Sequence, residues 1–362
     1  MTPPTPGRVA RPTWRSPGDP DSADADRPAP AGVAVEPGTA RIAVDLLGGD
    51  DAPAVVVDGA LRAVRADPDL HLLLVGPAET AAEVVDALDL AQRARIAVRP
   101  VRDVVAMSEQ YPTRAARSHS TVRAAVAAVR TGAADALVSA GSTGATVTAA
   151  VLGLGRWPGV RQPALVATLP AIDGPVVLLD VGGSLEAHPA TLSRHAVLGA
   201  AYAAVAHAVA APRVGLLSVG TEAGKGDRAR RAADPLLAVG PLPCDGRYIG
   251  LVEGYDVALG ARADVVVTDG FTGNVLLKAI EGAYAMAGGA PASGGAPRAA
   301  ALLGVSGTVV VCHGSARADD IASGITLAAR LWRRAATATV AALIAGEPVD
   351  RTDRTTDTEV TA

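Results

Sequence analysis

From Arg41 to Gly314 the chain alternates short, unbroken apolar runs with longer helical stretches, and nearly every run ends in a glycine-bearing turn. The runs are RIAVDLLGG (41–49), HLLLVG (71–76), RIAVRPV (95–101), ALVSAG (136–141), PVVLLDVGG (175–183), RVGLLSVG (213–220), ADVVVTDG (263–270) and TVVVCHG (308–314). Continuous rather than alternating hydrophobicity marks strands covered on both faces. Between them APAVVVDGALRAVRAD, STVRAAVAAVRTG and PATLSRHAVLGAAYAAVAHAVA read as helices, the second capped by Ser118 or Ser120. This alternation predicts an α/β fold: a doubly wound, mostly parallel sheet with helices on both faces, an α/β/α sandwich.

Composition says how such a sheet is packed and what it excludes. Hydrophobic residues make up 49% and aromatics only 2%, so alanine and valine fill the interior and helices must approach the sheet closely. A net charge of −4 argues against a nucleic-acid partner, which would need a clustered basic face. Cys244 and Cys312 are too few for a disulfide framework and point to a reducing compartment, and no apolar segment near the N-terminus reads as a signal peptide; the expected location is cytoplasmic. No run nears the ~18 apolar residues of a membrane span. Residues 1–38, rich in Pro, Asp, Arg and Ala, are expected to be a disordered tail. Residues 39–346 should form one α/β domain, with a second disordered tail at 347–362.

Ligands of open α/β sheets bind beyond the carboxyl ends of strands, and the glycine turns are expected there, on one shared edge. Backbone N–H groups at a helix start make an anion site. In SAGSTGA, Gly141 and Gly144 let the backbone approach an anion while Ser142 and Thr143 add hydroxyls. DVGGS contributes Asp180, Gly182 and Ser184; TDGFTGN contributes Asp269, Thr272, Gly273 and Asn274. Any one such turn is ordinarily just a tight connection, but five together suit phosphate or a developing oxyanion. There is no GxxxxGK[ST], no GxGxxG after the first strand, no GxSxG and no metal-ligand spacing, so neither a metal nor a cofactor is expected.

Taken in order, VDLLGGDDAP (44–53), SAGSTGA (139–145), GRWPGVRQPALVATLP (155–170), LLDVGGS (178–184), PRVGLLSVGTEAGKG (212–226), ADVVVTDGFTGNVLLK (263–278) and GVSGTVVVCHGS (304–315) resemble one family. It is that of the PlsX-type phosphate acyltransferases of bacterial phospholipid synthesis, and the resemblance runs from about Ile42 to about Leu331. The family implies transfer of a fatty acyl group from acyl carrier protein to inorganic phosphate, without a covalent enzyme intermediate. The chain departs from the family at Ser142, usually asparagine, at Ser184–Leu185–Glu186, and at Gly220–Thr221–Glu222–Ala223. Between Glu281 and Leu302 the family inserts a long amphipathic hairpin implicated in dimer packing and membrane contact. Here only a short glycine-rich stretch stands, which argues against membrane docking while leaving a homodimer open.

The reaction implied has three physical tasks: hold the phosphate dianion, stabilise an oxyanion, and help the thiolate leave. The Gly141–Gly144 and Gly270–Asn274 turns supply donors, with Asn274 placed among the catalytic candidates. Lysine is scarce, and Lys225 in GTEAGKG can balance phosphate charge or simply be solvated. His313 can protonate the leaving sulfur, donate to an oxyanion, or make a structural hydrogen bond. Asp45, Asp180 and Asp269 can orient neighbouring donors, bind a cation or, the role they suit best, cap the following turn; Cys312, inside a strand run, is rejected as a nucleophile. Arginine clusters at 114–130, 228–231 and 330–334 are candidate faces for an acidic carrier, or solvated helix faces. Two other readings stay open: a paralogue using acyl-CoA, and a non-catalytic acyl- or phosphate-binding regulator.

Overall fold

The computed structural model describes residues 38–104, 119–288 and 299–346, Ala87 and Ala187 excepted. Both expected tails, the stretch carrying Arg114, Arg117 and Ser118, and most of the shortened segment before Ala299 lie outside the described residues. In chain order the elements are β1 (Ala40–Asp45), α1 (Ala54–Ala66), β2 (Leu70–Gly76), α2 (Ala78–Asp86), α3 (Leu90–Arg93), β3 (Ile96–Pro100), α4 (Thr121–Thr131), β4 (Ala136–Ser139) and α5 (Thr143–Leu154). They continue as β5 (Ala164–Leu169), β6 (Val176–Leu179), α6 (Pro189–His207), β7 (Arg213–Leu217), α7 (Arg228–Val239), β8 (Arg247–Val252), α8 (Gly254–Leu259) and β9 (Val265–Val267). The last are α9 (Gly270–Met286), β10 (Ala299–Leu303), β11 (Thr308–Cys312), α10 (Ala318–Arg333) and α11 (Ala336–Ala345).

The strands form one sheet in the order β3-β2-β1-β4-β11-β10-β5-β6-β9-β7-β8. Its two flanks are each parallel, β3 to β11 on one side and β6 to β8 on the other. In the middle, β10 runs antiparallel to both β11 and β5, and β5 antiparallel to β6. An odd number of reversals turns one flank against the other. The carboxyl ends of β1, β4 and β11 therefore leave from one long edge, and those of β6, β7 and β9 from the opposite edge. The expectation that all the glycine turns share one edge is corrected by this reversal. Measured along the six residues of β5, the edges stand about 17 Å apart.

All eight expected strands are present, and the three unforeseen ones have local reasons for escaping notice. ALVATL of β5 lies between prolines, AAALL of β10 has the composition of a helix, and RYIGLV of β8 is broken by Gly250 at φ +90°, where the β7–β8 register shifts. Helices cover both faces, as expected. One apolar cluster gathers α1, α2, α6, α7, α10 and α11; the other gathers α4, α5, α8 and α9. Small side chains permit the close approach that a core poor in aromatics requires: a Cβ on Gly59 of α1 would come within 2.5 Å of Ile321 Cβ on α10. Ser120, not Ser118, caps α4, its Oγ accepting from Arg123 N–H at 3.4 Å. Among the described residues no helix is long and apolar enough to cross a membrane.

Candidate active site

The first edge is built where β1, β4 and β11 end side by side, Val311 pairing with Ser139. Asp45, at the end of β1 and 3% exposed, accepts hydrogen bonds from Ser139 Oγ at 2.8 Å and Leu47 N–H at 3.3 Å. Ser139 Oγ accepts in turn from Gly141 N–H at 3.1 Å, so the carboxyl holds the start of the SAGST turn from below. Burial raises the Asp45 pKa, against the lowering effect of hydrogen bonds from Thr121, Ser139 and the Leu47 and Gly48 backbone. The loop after β1 folds across this turn, with Asp50 N–H donating to the Gly314 carbonyl at 2.8 Å.

Ser142 is the N-cap of α5, its Oγ accepting from Ala145 N–H at 3.5 Å, and the helix TGATVTAAVLGL carries no charge of its own. The N–H groups of Thr143 and Gly144, in the first turn, have no intrahelical acceptor and present the positive end of the helix. Next to this turn, across the β4–β11 pair, stands exposed His313. Ser315 N–H donates to its Nδ1 at 3.4 Å, with Ser315 Oγ at 3.0 Å, which assigns the ring proton to Nε2. Partial burial lowers the His313 pKa, reinforced by the Lys278 charge and opposed by Glu281, Asp50 and Asp320; the ring is neutral near pH 7.

Lys278 is the residue the sequence reading passed over, although it closes the quoted motif DGFTGNVLLK. The chain has only two lysines, Lys225 and Lys278, and that scarcity is the signal that singles it out. On α9 its Nζ pairs with Glu281 Oε2 at 2.8 Å, the two side chains 33% and 28% exposed. Further along, the Tyr284 hydroxyl donates to the Pro170 carbonyl and pins the end of α9 beside this edge.

The second edge is of another kind. Asp180 is fully buried; its Oδ1 accepts from the N–H groups of Leu165 (3.0 Å), Gly182 (3.1 Å) and Gly183 (2.7 Å), and its Oδ2 from Ser184 Oγ at 2.7 Å. The first turn of α9 is pressed onto this loop. A Cβ on Gly273 would overlap the Asp180 carbonyl, and one on Gly270 the Ser184 carbonyl, while Asn274 Nδ2 donates to the Val181 carbonyl at 3.0 Å. Asp269 caps α9, accepting from Thr272 N–H and Thr272 Oγ1, each at 2.8 Å, and from Arg230 Nη2 at 2.7 Å. Burial alone would raise the Asp269 carboxyl, but these donors and the Arg230 charge bring it below its ordinary value.

Arg230 is 7% exposed and donates also to the Leu217 carbonyl (2.6 Å), Asp227 Oδ2 (2.5 Å) and Thr268 Oγ1 (2.9 Å). The suggestion that it belongs to a carrier-docking face is therefore corrected: its guanidinium is the buried tie between β7, α7 and α9. Arg333 is likewise committed, to Asp67 at 2.7 Å and the Gly38 carbonyl. Lys225 sits exposed on the loop after β7, between Gly224 at φ +84° and Gly226 at φ +93°. Of four side chains expected to converge, Ser142 and His313 share the first edge, Lys225 and Thr272 the second. Cys312 is buried against Gly324 and its thiol is pushed up to about 12, which agrees with its rejection as a nucleophile. Among the described residues no group of His, Cys, Asp and Glu could hold a metal ion.

Solved structures share this fold. The EutD phosphotransacetylase from Staphylococcus aureus matches at TM-score 0.55 and 17% identity, over 84% of this chain and 96% of its own. A phosphotransacetylase from Streptococcus pyogenes matches at TM-score 0.57 and 18% identity, over 82% and 95%. The fold is thus the α/β fold of phosphotransacetylases. Residues 40–289 match the family described as fatty acid synthesis protein. The phosphate acyltransferase of Thermobifida fusca is 41% identical over 317 residues, 80% of this chain and 87% of that one; the phosphate acyltransferase of Desulfitobacterium hafniense (strain DCB-2) is 39% identical over 327, 80% and 92%. The chain belongs to the phosphate acyltransferase family, and it is an acyltransferase.

Proposed function

We propose that this enzyme transfers a fatty acyl group from acyl carrier protein to inorganic phosphate, giving an acyl phosphate for phospholipid synthesis. The observation that carries the reading is the first edge, where an uncharged helix start, a neutral histidine and a lysine stand together. The amides of Thr143 and Gly144, with the Ser142 and Thr143 hydroxyls, hold the phosphate, and Lys278 balances its charge. A phosphate oxygen attacks the thioester carbonyl carbon, the new C–O bond places negative charge on the carbonyl oxygen, and the His313 Nε2–H donates to it. The C–S bond then breaks, its electron pair leaving with sulfur.

On this reading Asp180, Gly182, Ser184, Asp269, Thr272, Gly273 and Asn274 act at one remove. They fix the start of α9 on the second edge, and eight residues of helix, about 12 Å, carry Lys278 toward the first. Lys225, exposed on the second edge, helps to steer the acidic carrier. A cytoplasmic location, drawn from the cysteine usage and the N-terminal sequence, accompanies the reading, and a homodimer is compatible with it.

Purified protein given acyl-ACP and phosphate, with hydroxylamine trapping of the acyl phosphate and acyl-CoA in a parallel arm, tests it. Phosphate-dependent product from acyl-ACP is the expected result. Product from acyl-CoA alone would replace the donor, and no product from either would overturn the proposal.

A further inference from the structure

We propose that Glu281 is the built-in counter-ion of the phosphate site, occupying the Lys278 ammonium in the resting enzyme and yielding it to the incoming dianion, so that Glu281 sets the phosphate concentration at which the enzyme works. The inference rests on the reading of the first edge given above. It starts from charge balance. Three carboxylates, Glu281, Asp50 and Asp320, and one ammonium, Lys278, lie close enough for their charges to act on the His313 ring. The Lys278 Nζ is already paired with Glu281 Oε2 at 2.8 Å. A phosphate dianion entering beside the Ser142 turn would therefore find the one ammonium of this group already engaged by a carboxylate, and can take it only if that pair opens.

The pair is built to open. Both side chains are partly exposed, at 33% and 28%, so neither charge is locked in place by burial. An ion pair three residues apart on a helix adds little to helix stability, so its loss leaves α9 standing on its buried Leu277 and Ile280. Only two of the chain's 33 basic residues are lysines. An ammonium on a flexible stem can exchange one oxygen partner for another, whereas an arginine fork would surrender a two-point geometry. The buried Arg230 on the second edge, tied to several acceptors at once, is the contrasting case.

The test is steady-state kinetics of E281Q and E281D at fixed ionic strength, varying phosphate. E281Q removes the competing charge and keeps the shape. It should lower the KM for phosphate about fivefold, ahead of any change in kcat, the size of effect expected of a partly exposed ion pair. It should also move the imidazole titration of His313, followed by NMR, to lower pH, because Glu281 is one of the charges that favour the His313 imidazolium. E281D, which keeps the charge, should stay nearer the wild type on both measures. An unchanged or raised phosphate KM in E281Q, or an E281D that behaves like E281Q, overturns the counter-ion role while leaving the acyltransferase reading intact. A wild type whose product formation ignores phosphate overturns both.

Discussion

The two edges of the sheet look alike as strings of glycine, serine and aspartate, yet they differ in how far their polar groups are spent. On the second edge Asp180 accepts four hydrogen bonds, Asp269 accepts three, and the buried Arg230 donates to four residues. On the first edge the amides of the α5 first turn, the His313 Nε2 and a lysine in a partly exposed pair still have capacity for a ligand. A group already satisfied by its own chain defines a shape; chemistry needs groups that are held in place but not consumed.

The sharpest way to break this contrast is Gly273→Ala. The added methyl would overlap the Asp180 carbonyl, so the start of α9 or the loop beneath it must move. We expect a loss of about 3 kcal/mol or more in chemical denaturation, since neither partner is a flexible side-chain end. Arg230→Met should cost about 3–5 kcal/mol by the same measurement, because it strands the Asp269 carboxylate in a largely buried place. If Arg230→Met instead kept its stability and lost only activity, the second edge would belong to the active site and the contrast would fail.

On the first edge the order of effects reverses. Lys278→Ala should lower kcat/KM for phosphate about 100-fold with little change in melting temperature, as removal of a charge that binds a dianion does. Lys225→Ala, made in parallel, should change it less than about threefold, a rim charge acting on encounter. Equal effects from the two lysines would erase the distinction between the edges.

Two histidines sharpen it through pH. His313 on the first edge and His195, fully buried behind Asp180 with its Nε2–H donating to the Gln162 carbonyl at 3.3 Å, both have pKa values lowered chiefly by burial. The folded protein keeps His195 neutral, whereas the unfolded chain binds a proton below about pH 6.5, so stability should fall as pH drops through that value toward the depressed folded pKa. His195→Gln should flatten that slope of stability against pH, and His313→Gln, at a more exposed site, should flatten it less. Activity should respond the other way, falling in His313→Gln with the loss of the placed imidazole Nε2–H and holding in His195→Gln. The smallest effect is a control on α9 itself. Gly282 has nothing within 4 Å of a Cβ, so Gly282→Ala should be neutral or stabilising by up to about 1 kcal/mol, against the severe cost at Gly273.

Much of this molecule was legible before any coordinates. The eight expected strands, the helices at 54–66, 121–131 and 189–207, and the capping roles of Ser120 and Asp269 follow from patterns a few residues long. Asp180 as an organiser of its own turn was legible for the same reason: its donors Gly182, Gly183 and Ser184 are its neighbours in the chain. Arg230 was misread as surface because a charged residue beside Arg228 and Arg231 gives no local sign that Leu217, Thr268 and Asp269 close over it. Lys278 was missed because its meaning depends on His313, which lies 35 residues further along and on another element.

What the chain determined by itself is therefore everything governed by short-range physics: which segments are strands, where helices start, and that their junctions expose bare backbone. What only the tertiary structure decided is the direction of half the sheet, and with it which junctions face one another. That choice lies in the pairing of β10 with β11 on one side and β5 on the other, contacts between residues more than 130 positions apart in the second case, where alanine-rich strands carry no signature of their partners. Backbone pairing over such separations is selected by burial of the whole sheet rather than by any local preference, which is why two similar sets of glycine turns ended on opposite edges with different work to do.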